Sequence, residues 1–191
     1  MSKTLFFIIC TFISTSCLSQ NNTNVKPRVQ DLDFLVGSWQ IEFEIYDTER
    51  PERGVIITET GTQECTYDLA LNGTPMFITC IGQMTSDKGR KRTFRESIRY
   101  SQFSQSFERI GLYSNWPATG LELLAYYPKE KKMVTRGELG IQHGRLERYE
   151  DVYQFNDDHT SYSRINMANF SNMPMTEFNL TLKGRGKKVL E

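Results

Sequence analysis

The residues of this chain with the most chemistry to offer are charged side chains at positions where the pattern calls for apolar ones. Phe94, Ile98 and Tyr100 share a strand parity with Glu96, and Phe107, Gly111 and Tyr113 share one with Arg109. Leu146 and Val152 share theirs with Arg148 and Glu150, and Tyr162 shares its own with Arg164. A charge on the inner face of a sheet costs several kcal/mol unless an opposite charge or a ligand completes it. Two arrangements meet that demand. In one, carboxylates and guanidiniums line a cavity and orient a polar headgroup. In the other, these parities face outward as surface salt bridges, since Arg145, Glu147, Tyr149 and Asp151 on the alternate parity are equally polar. An enzyme built on the first arrangement would use Glu96 or Glu150 as acid/base and an arginine to stabilise developing charge.

Other chemistry finds little support in the sequence. His143 lies in a Gly-flanked turn and His159 beside Asp157-Asp158, and metal sites need three or more converging ligands. No nucleophile elbow, phosphate-binding loop or Cys-His pairing is present. Lys88-Gly89-Arg90-Lys91-Arg92 reads as a solvated hairpin tip, because no aromatic platform for bases interleaves it. Lys183 to Lys188 reads as a basic tail despite its Gly-x-Gly. Basic and acidic side chains number 23 each, so no net charge attracts nucleic acid or an anionic membrane.

The elements that must position these groups are strands. Across Trp39, Ile41, Phe43 and Ile45, apolar residues alternate with Gln40, Glu42, Glu44 and Tyr46, which is the two-residue period of a half-buried strand. Similar patterns predict strands at 55–62, 64–71, 75–82, 93–100, 107–113, 121–127, 133–139, 146–155, 160–168 and 176–183, with a single short helical turn near 30–35. Turn residues such as Asn72-Gly73, Ser86-Asp87-Lys88-Gly89 and Asn156-Asp157-Asp158 separate them. An all-β, antiparallel up-and-down meander of about ten strands follows, closed into a barrel to remove its edges. Asn72-Gly73 predicts a two-residue hairpin turn in which paired residue numbers sum to 145. Cys65 then faces Cys80 on a face shared with Tyr67, Leu69, Leu71, Met76 and Ile78, which predicts a disulfide. Two longer loops carry Trp116 in one and Phe170, Met173 and Met175 in the other, and these side chains are placed to cover a barrel mouth or to plug it.

Gly37-Ser38-Trp39 resembles the Gly-x-Trp opening of lipocalins and related calycin barrels, and the chain from 32 to 185 resembles lipocalin-like domains of exported bacterial proteins of unassigned function. That resemblance implies a closed barrel around one small-ligand cavity, with the motif tryptophan packed under a basic residue of the last strand, here Arg185 or Lys183. It also resembles the haem-holding nitrobindins, but the glycines that follow their tryptophan are replaced by Gln40, Ile41, Glu42 and Phe43, which argues against haem. The expected function is therefore a non-enzymatic binding barrel for a small, mainly apolar or amphipathic molecule, without cofactor, metal or nucleic acid. Its expected ligand-binding residues are Trp39, Phe43, Tyr67, Glu96, Tyr100, Arg109, Tyr113, Trp116, Arg148 and Arg164. An enzyme using the same cavity, or a packed barrel that binds partners on its surface, are the alternatives.

The N-terminus reads as an address. Lys3 precedes the apolar run Leu5 to Ile13, too short at about 1.5 Å per residue to cross roughly 30 Å of hydrocarbon. Residues 1–16 therefore read as a signal peptide, 17–30 as a tether and 31–191 as the barrel domain. Ser14-Thr15-Ser16-Cys17 resembles a relaxed lipobox, which implies lipidation of Cys17 and residence in the periplasm or outer membrane. Cleavage after Ser19, with free secretion, is the alternative. Intact mass of the membrane-extracted protein decides between them: a lipidated N-terminus at Cys17 is expected, and an unmodified one at Gln20 refutes it.

Overall fold

The computed structural model describes residues 26–114, 121–142, 145–170, 173–174 and 177–190, with 139–142 and 145–147 described by backbone alone. Alternation of apolar and polar residues produces ten strands: β1 (Gly37–Tyr46), β2 (Val55–Leu69), β3 (Pro75–Ser86), β4 (Lys91–Ser101), β5 (Ser106–Tyr113), β6 (Leu121–Tyr127), β7 (Lys132–Gln142), β8 (Arg145–Phe155), β9 (Ser161–Asn169) and β10 (Asn179–Lys188). Each strand pairs antiparallel with its neighbours in sequence, and β1 pairs with β10 to close the barrel. A 3-10 turn, Val29–Leu35, precedes β1.

Two of the differences from the sequence reading involve glycine. The segments 55–62 and 64–71 are one strand, β2, running through Gly61, where a Cβ would fall 1.9 Å from the Gln83 carbonyl oxygen. The run Lys183 to Lys188 is no tail but the second half of β10, paired along β1 from Glu44 to Trp39. Its Gly184 and Gly186 leave room for the rings of Phe43 and Tyr162. A glycine repeat in a basic run thus marks close approach of aromatic rings to a strand.

The β2–β3 hairpin departs from the expected two-residue turn. Ala70 N–H bonds to Thr74 O and Gly73 N–H to Ala70 O, and only Gly73 of the tip has a positive φ (79°). This is a type I turn followed by a left-handed glycine, a three-residue loop that leaves Asn72 free to accept from Thr74 N–H at 3.1 Å. The register shifts between Asp68 and Leu69, and Leu69, Leu71 and Met76 are exposed instead of sharing the core face. Below the shift the sum of 145 holds, Tyr67 facing Ile78 and Cys65 facing Cys80. The two cysteines form a disulfide with α-carbons 4.0 Å apart, near the spacing of a non-hydrogen-bonded pair.

The 3-10 turn plugs one end of the barrel. Leu32 is fully buried, and the Phe34 ring packs on Tyr126, Phe155 and His159. Trp39 Nε1–H donates to Leu35 O at 2.9 Å, tying β1 to the plug. Lys188 lies over the Trp39 ring at 5.6 Å and donates to Phe34 O at 3.3 Å. The basic partner of the motif tryptophan is therefore Lys188; Arg185 pairs outside with Glu42, and Lys183 lies over Tyr46. Gly37, at φ 116°, lets Lys188 pass, since a Cβ there would stand 3.0 Å from its Cε.

Closing a loop with a sequence separation of 15 residues contributes up to about 3 kcal/mol in the chain-entropy model, less here because the hairpin already restricts that loop. Replacing both Cys65 and Cys80 with alanine is expected to leave the fold intact and lower Tm by several degrees. Thiol titration of the denatured, unreduced protein checks the bridge itself: neither cysteine should react.

Candidate functional site

Inward side chains change character along the barrel. At the plugged end the interior is filled by Trp39, Ile98, Phe107, Leu124, Phe155 and Tyr162. At the other end, inward positions hold small residues such as Gly111 and Ala168, and a cavity of about 570 Å³ opens among them. Its walls are largely apolar: Phe43, Ile45, Phe94, Phe170 and Leu182. Asp47, Thr48 and Glu49 of the β1–β2 loop border the mouth.

Between these two halves lies a belt of charge, one inward residue from each of several strands. Arg109 on β5 sits at its centre, 2% exposed. Its guanidinium bonds Glu122 of β6 through Nε, reaches Asp151 of β8 at 3.3 Å and Tyr153 Oη at 3.2 Å, and lies 3.7 Å from Glu96 of β4. Arg164 of β9 grips Asp151 with Nη2 at 2.6 Å and Nε at 2.8 Å. Tyr113 donates its hydroxyl to Glu96 at 2.5 Å, and Tyr149 hydrogen-bonds to Glu122. A second pair, Arg92 and Glu59, lies alongside, joined by two N–H groups of one guanidinium at 2.8 and 2.6 Å. The Phe43 ring lies under both Arg92 and Arg164, at 5.7 and 5.1 Å.

Burial and pairing oppose each other in this belt. Desolvation alone would raise the pKa of Asp151, but the charges and hydrogen bonds of Arg164 and Arg109 outweigh it and hold the carboxyl below its ordinary value. Burial likewise works against the Arg109 cation, and the adjacent carboxylates, Glu96 foremost, overcome it and raise its pKa. Burial and the neighbouring Glu96 push Tyr113 upward, and burial and Glu122 do the same to Tyr149, so both hydroxyls remain protonated donors.

Of the residues expected to form the site, Phe43, Glu96, Arg109, Tyr113 and Arg164 line the cavity. Trp39, Tyr67 and Tyr100 do not; they pack in or against the core of the plugged half. Arg148 is exposed on the outer face, and Glu150 bonds Arg136 there at 2.6 Å. The face assignment of β8 is therefore inverted: Tyr149, Asp151, Tyr153 and Phe155 point inward. Trp116, His143 and Met175 lie outside the described residues. His159 sits at the plug, its Nε2 3.1 Å from Tyr126 Oη, far from the cavity lining.

The sequence reading missed Asp151, Glu122 and Arg92. In β6 the apolar Leu121 and Leu123 face solvent at 55% and 53% exposure while Glu122 points inward, so hydrophobicity does not mark the inner face of that strand. Aromatic content was the better signal. The inward parities of β8 and β9 carry Tyr149, Tyr153, Phe155 and Tyr162, and Asp151 and Arg164 ride on them. Among the described residues no group of three or more His, Cys, Asp or Glu is placed to hold a metal ion.

No family model matches the sequence, and no curated protein matches it significantly. Solved structures of similar fold do exist. Rv2717c from M. tuberculosis superposes with a TM-score of 0.58 at 15% identity, covering 85% of this chain and 97% of that one. The S-type phycobiliprotein lyase CPES from Guillardia theta superposes at 0.56 with 12% identity, covering 87% and 95%. At such low identity the likeness is one of fold: a closed, up-and-down barrel of ten antiparallel strands.

Asp151 gives the belt a defined pH dependence. A carboxyl whose pKa is lower in the folded state contributes stability that is present above its unfolded value, 3.8, and is lost as pH falls through the folded one. Thermal stability is expected to fall steeply below that value in the native protein and less steeply in Asp151→Asn, which starts from a lower plateau at neutral pH. Arg109→Ala, which strands Glu122 and leaves Asp151 to Arg164 alone, is expected to cost about 3–5 kcal/mol at neutral pH. Melting curves across pH check both.

Proposed function

We propose that this protein is a non-enzymatic container for one small, mainly apolar molecule with a polar end, working in the bacterial cell envelope. The observation that carries the reading is the cavity itself: about 570 Å³ inside a closed barrel, apolar along its walls and charged at its floor. That volume lies in the range of small-molecule sites, which are concave, mostly apolar and furnished with a few fixed polar groups. Phe43, Glu96, Arg109, Tyr113 and Arg164 are the proposed ligand contacts among the residues expected from sequence, with Glu122, Asp151 and Arg92 added by the structure. A barrel serving only as a packed surface scaffold has no use for such a void. The enzyme alternative narrows to Glu96, which is buried beside a protonated Tyr113, because Glu150 faces solvent.

Export is supported by the disulfide, which belongs in an oxidising compartment, and by the apolar N-terminal run followed by Cys17. The described chain enters through the plug, at the end of the barrel opposite the mouth. A lipid on Cys17 would therefore hold the plugged end toward the membrane and leave the mouth in the aqueous phase.

Native mass spectrometry of protein extracted from its own envelope tests the container directly. A co-purified molecule of a few hundred daltons is expected, lost in an Ala168→Phe variant that fills the cavity while keeping its thermal stability. An empty native protein that also ignores added amphiphiles refutes the reading.

A further inference from the structure

We infer that the molecule this cavity accepts is an amphipathic amine, its cationic end lodged against Glu96 and its apolar part along the walls; the inference rests on the container reading. The argument begins with what the floor has left to offer. Its guanidiniums are already committed: Arg109 to Glu122 and Asp151, Arg164 to Asp151, and Arg92 to Glu59. An anionic headgroup would have to displace a buried carboxylate from a buried arginine, leaving that carboxylate uncompensated.

The carboxylates are in excess. In the belt, Glu96, Glu122 and Asp151 face only Arg109 and Arg164. Over the whole lining, six carboxylates stand against three guanidiniums, and of the six Asp47 is held by Arg50 and Arg53 outside it. Glu96 is the least committed of the three belt acids: it accepts from the Tyr113 hydroxyl on one oxygen, while the other lies 3.7 Å from the nearest guanidinium nitrogen. The belt thus holds one more carboxylate than guanidinium in a low-dielectric interior, where a ligand cation is worth far more than at the surface.

The surroundings of Glu96 suit a cation as well. The Phe94 and Tyr113 rings flank it on the same inward face, stacked with centroids 6.1 Å apart, and aromatic faces attract ammonium groups. Beyond them Phe43, Ile45 and Leu182 supply apolar wall for a chain. Exposed Glu49 and Glu138 at the lining extend the negative field to the mouth, which favours entry of a positive molecule.

Titration calorimetry of the mature full-length protein with decylamine, decanol and decanoate, three probes sharing one chain and differing in head charge, tests the inference at neutral pH. Decylamine is expected to bind about tenfold tighter than decanol, and decanoate more weakly than either. Glu96→Gln should bring decylamine to the level of decanol without changing decanol itself. Glu150→Gln, which removes a carboxylate on the outer face of β8, should retain the amine preference and show that the loss is specific to Glu96. Tightest binding by decanoate, or an amine preference that survives Glu96→Gln, overturns the charge assignment while leaving the container standing. Failure of all three probes to bind overturns the container reading instead.

Discussion

A guanidinium held at 2% exposure in the middle of a small barrel sets the terms for everything around it. Arg109 cannot be neutralised within the protein, so its burial is tolerable only if carboxylates converge on it from several directions. Here they come from β4, β6 and β8, and Arg164 on β9 follows because Asp151 needs more than one partner. Strands far apart in sequence are thereby fixed in register by a single charge. The belt also divides the interior: aromatic packing can be completed on one side of it, and the volume on the other side remains open.

The two ends of the barrel have different physical jobs. At the plugged end, Trp39, Leu35, Phe34 and Lys188 join the first strand, the preceding turn and the last strand through two hydrogen bonds to backbone carbonyls and one ring–cation contact. The Cys65–Cys80 bridge ties β2 to β3 nearby, within the buried core. Closure is thus concentrated away from the mouth. At the open end, glycine and alanine replace bulky inward residues, so the walls enclose space that no described side chain fills. Stability and access are placed at opposite poles, and the charged floor is where they meet.

Much of this was legible in the sequence, because a two-residue period needs no tertiary information. Alternation, turn chemistry and the Gly-x-Trp opening pointed to an antiparallel barrel preceded by one short turn, and the Asn72-Gly73 hairpin aligned Cys65 with Cys80 even though its turn type was misjudged. Parity within β4, β5 and β9 was also readable, since Phe94, Phe107 and Tyr162 mark the inner face beside Glu96, Arg109 and Arg164. It failed in β8, where both parities are polar, and β6 offers no such mark, since its exposed leucines alternate with an inward glutamate.

What the sequence by itself determined is the class of element and its pairing, which depend on neighbours one, two and three positions away. What only the tertiary structure decided is which charges are partners. Arg109 and Asp151 lie 42 residues apart, and nothing local in either strand announces the other. Whether a polar face looks inward is settled by whether a complementary charge waits across the barrel, and that is known only once the last strand has closed on the first. For the same reason Lys188, and not Arg185 or Lys183, covers Trp39: the β1–β10 register, set by closure, puts Lys188 opposite that ring.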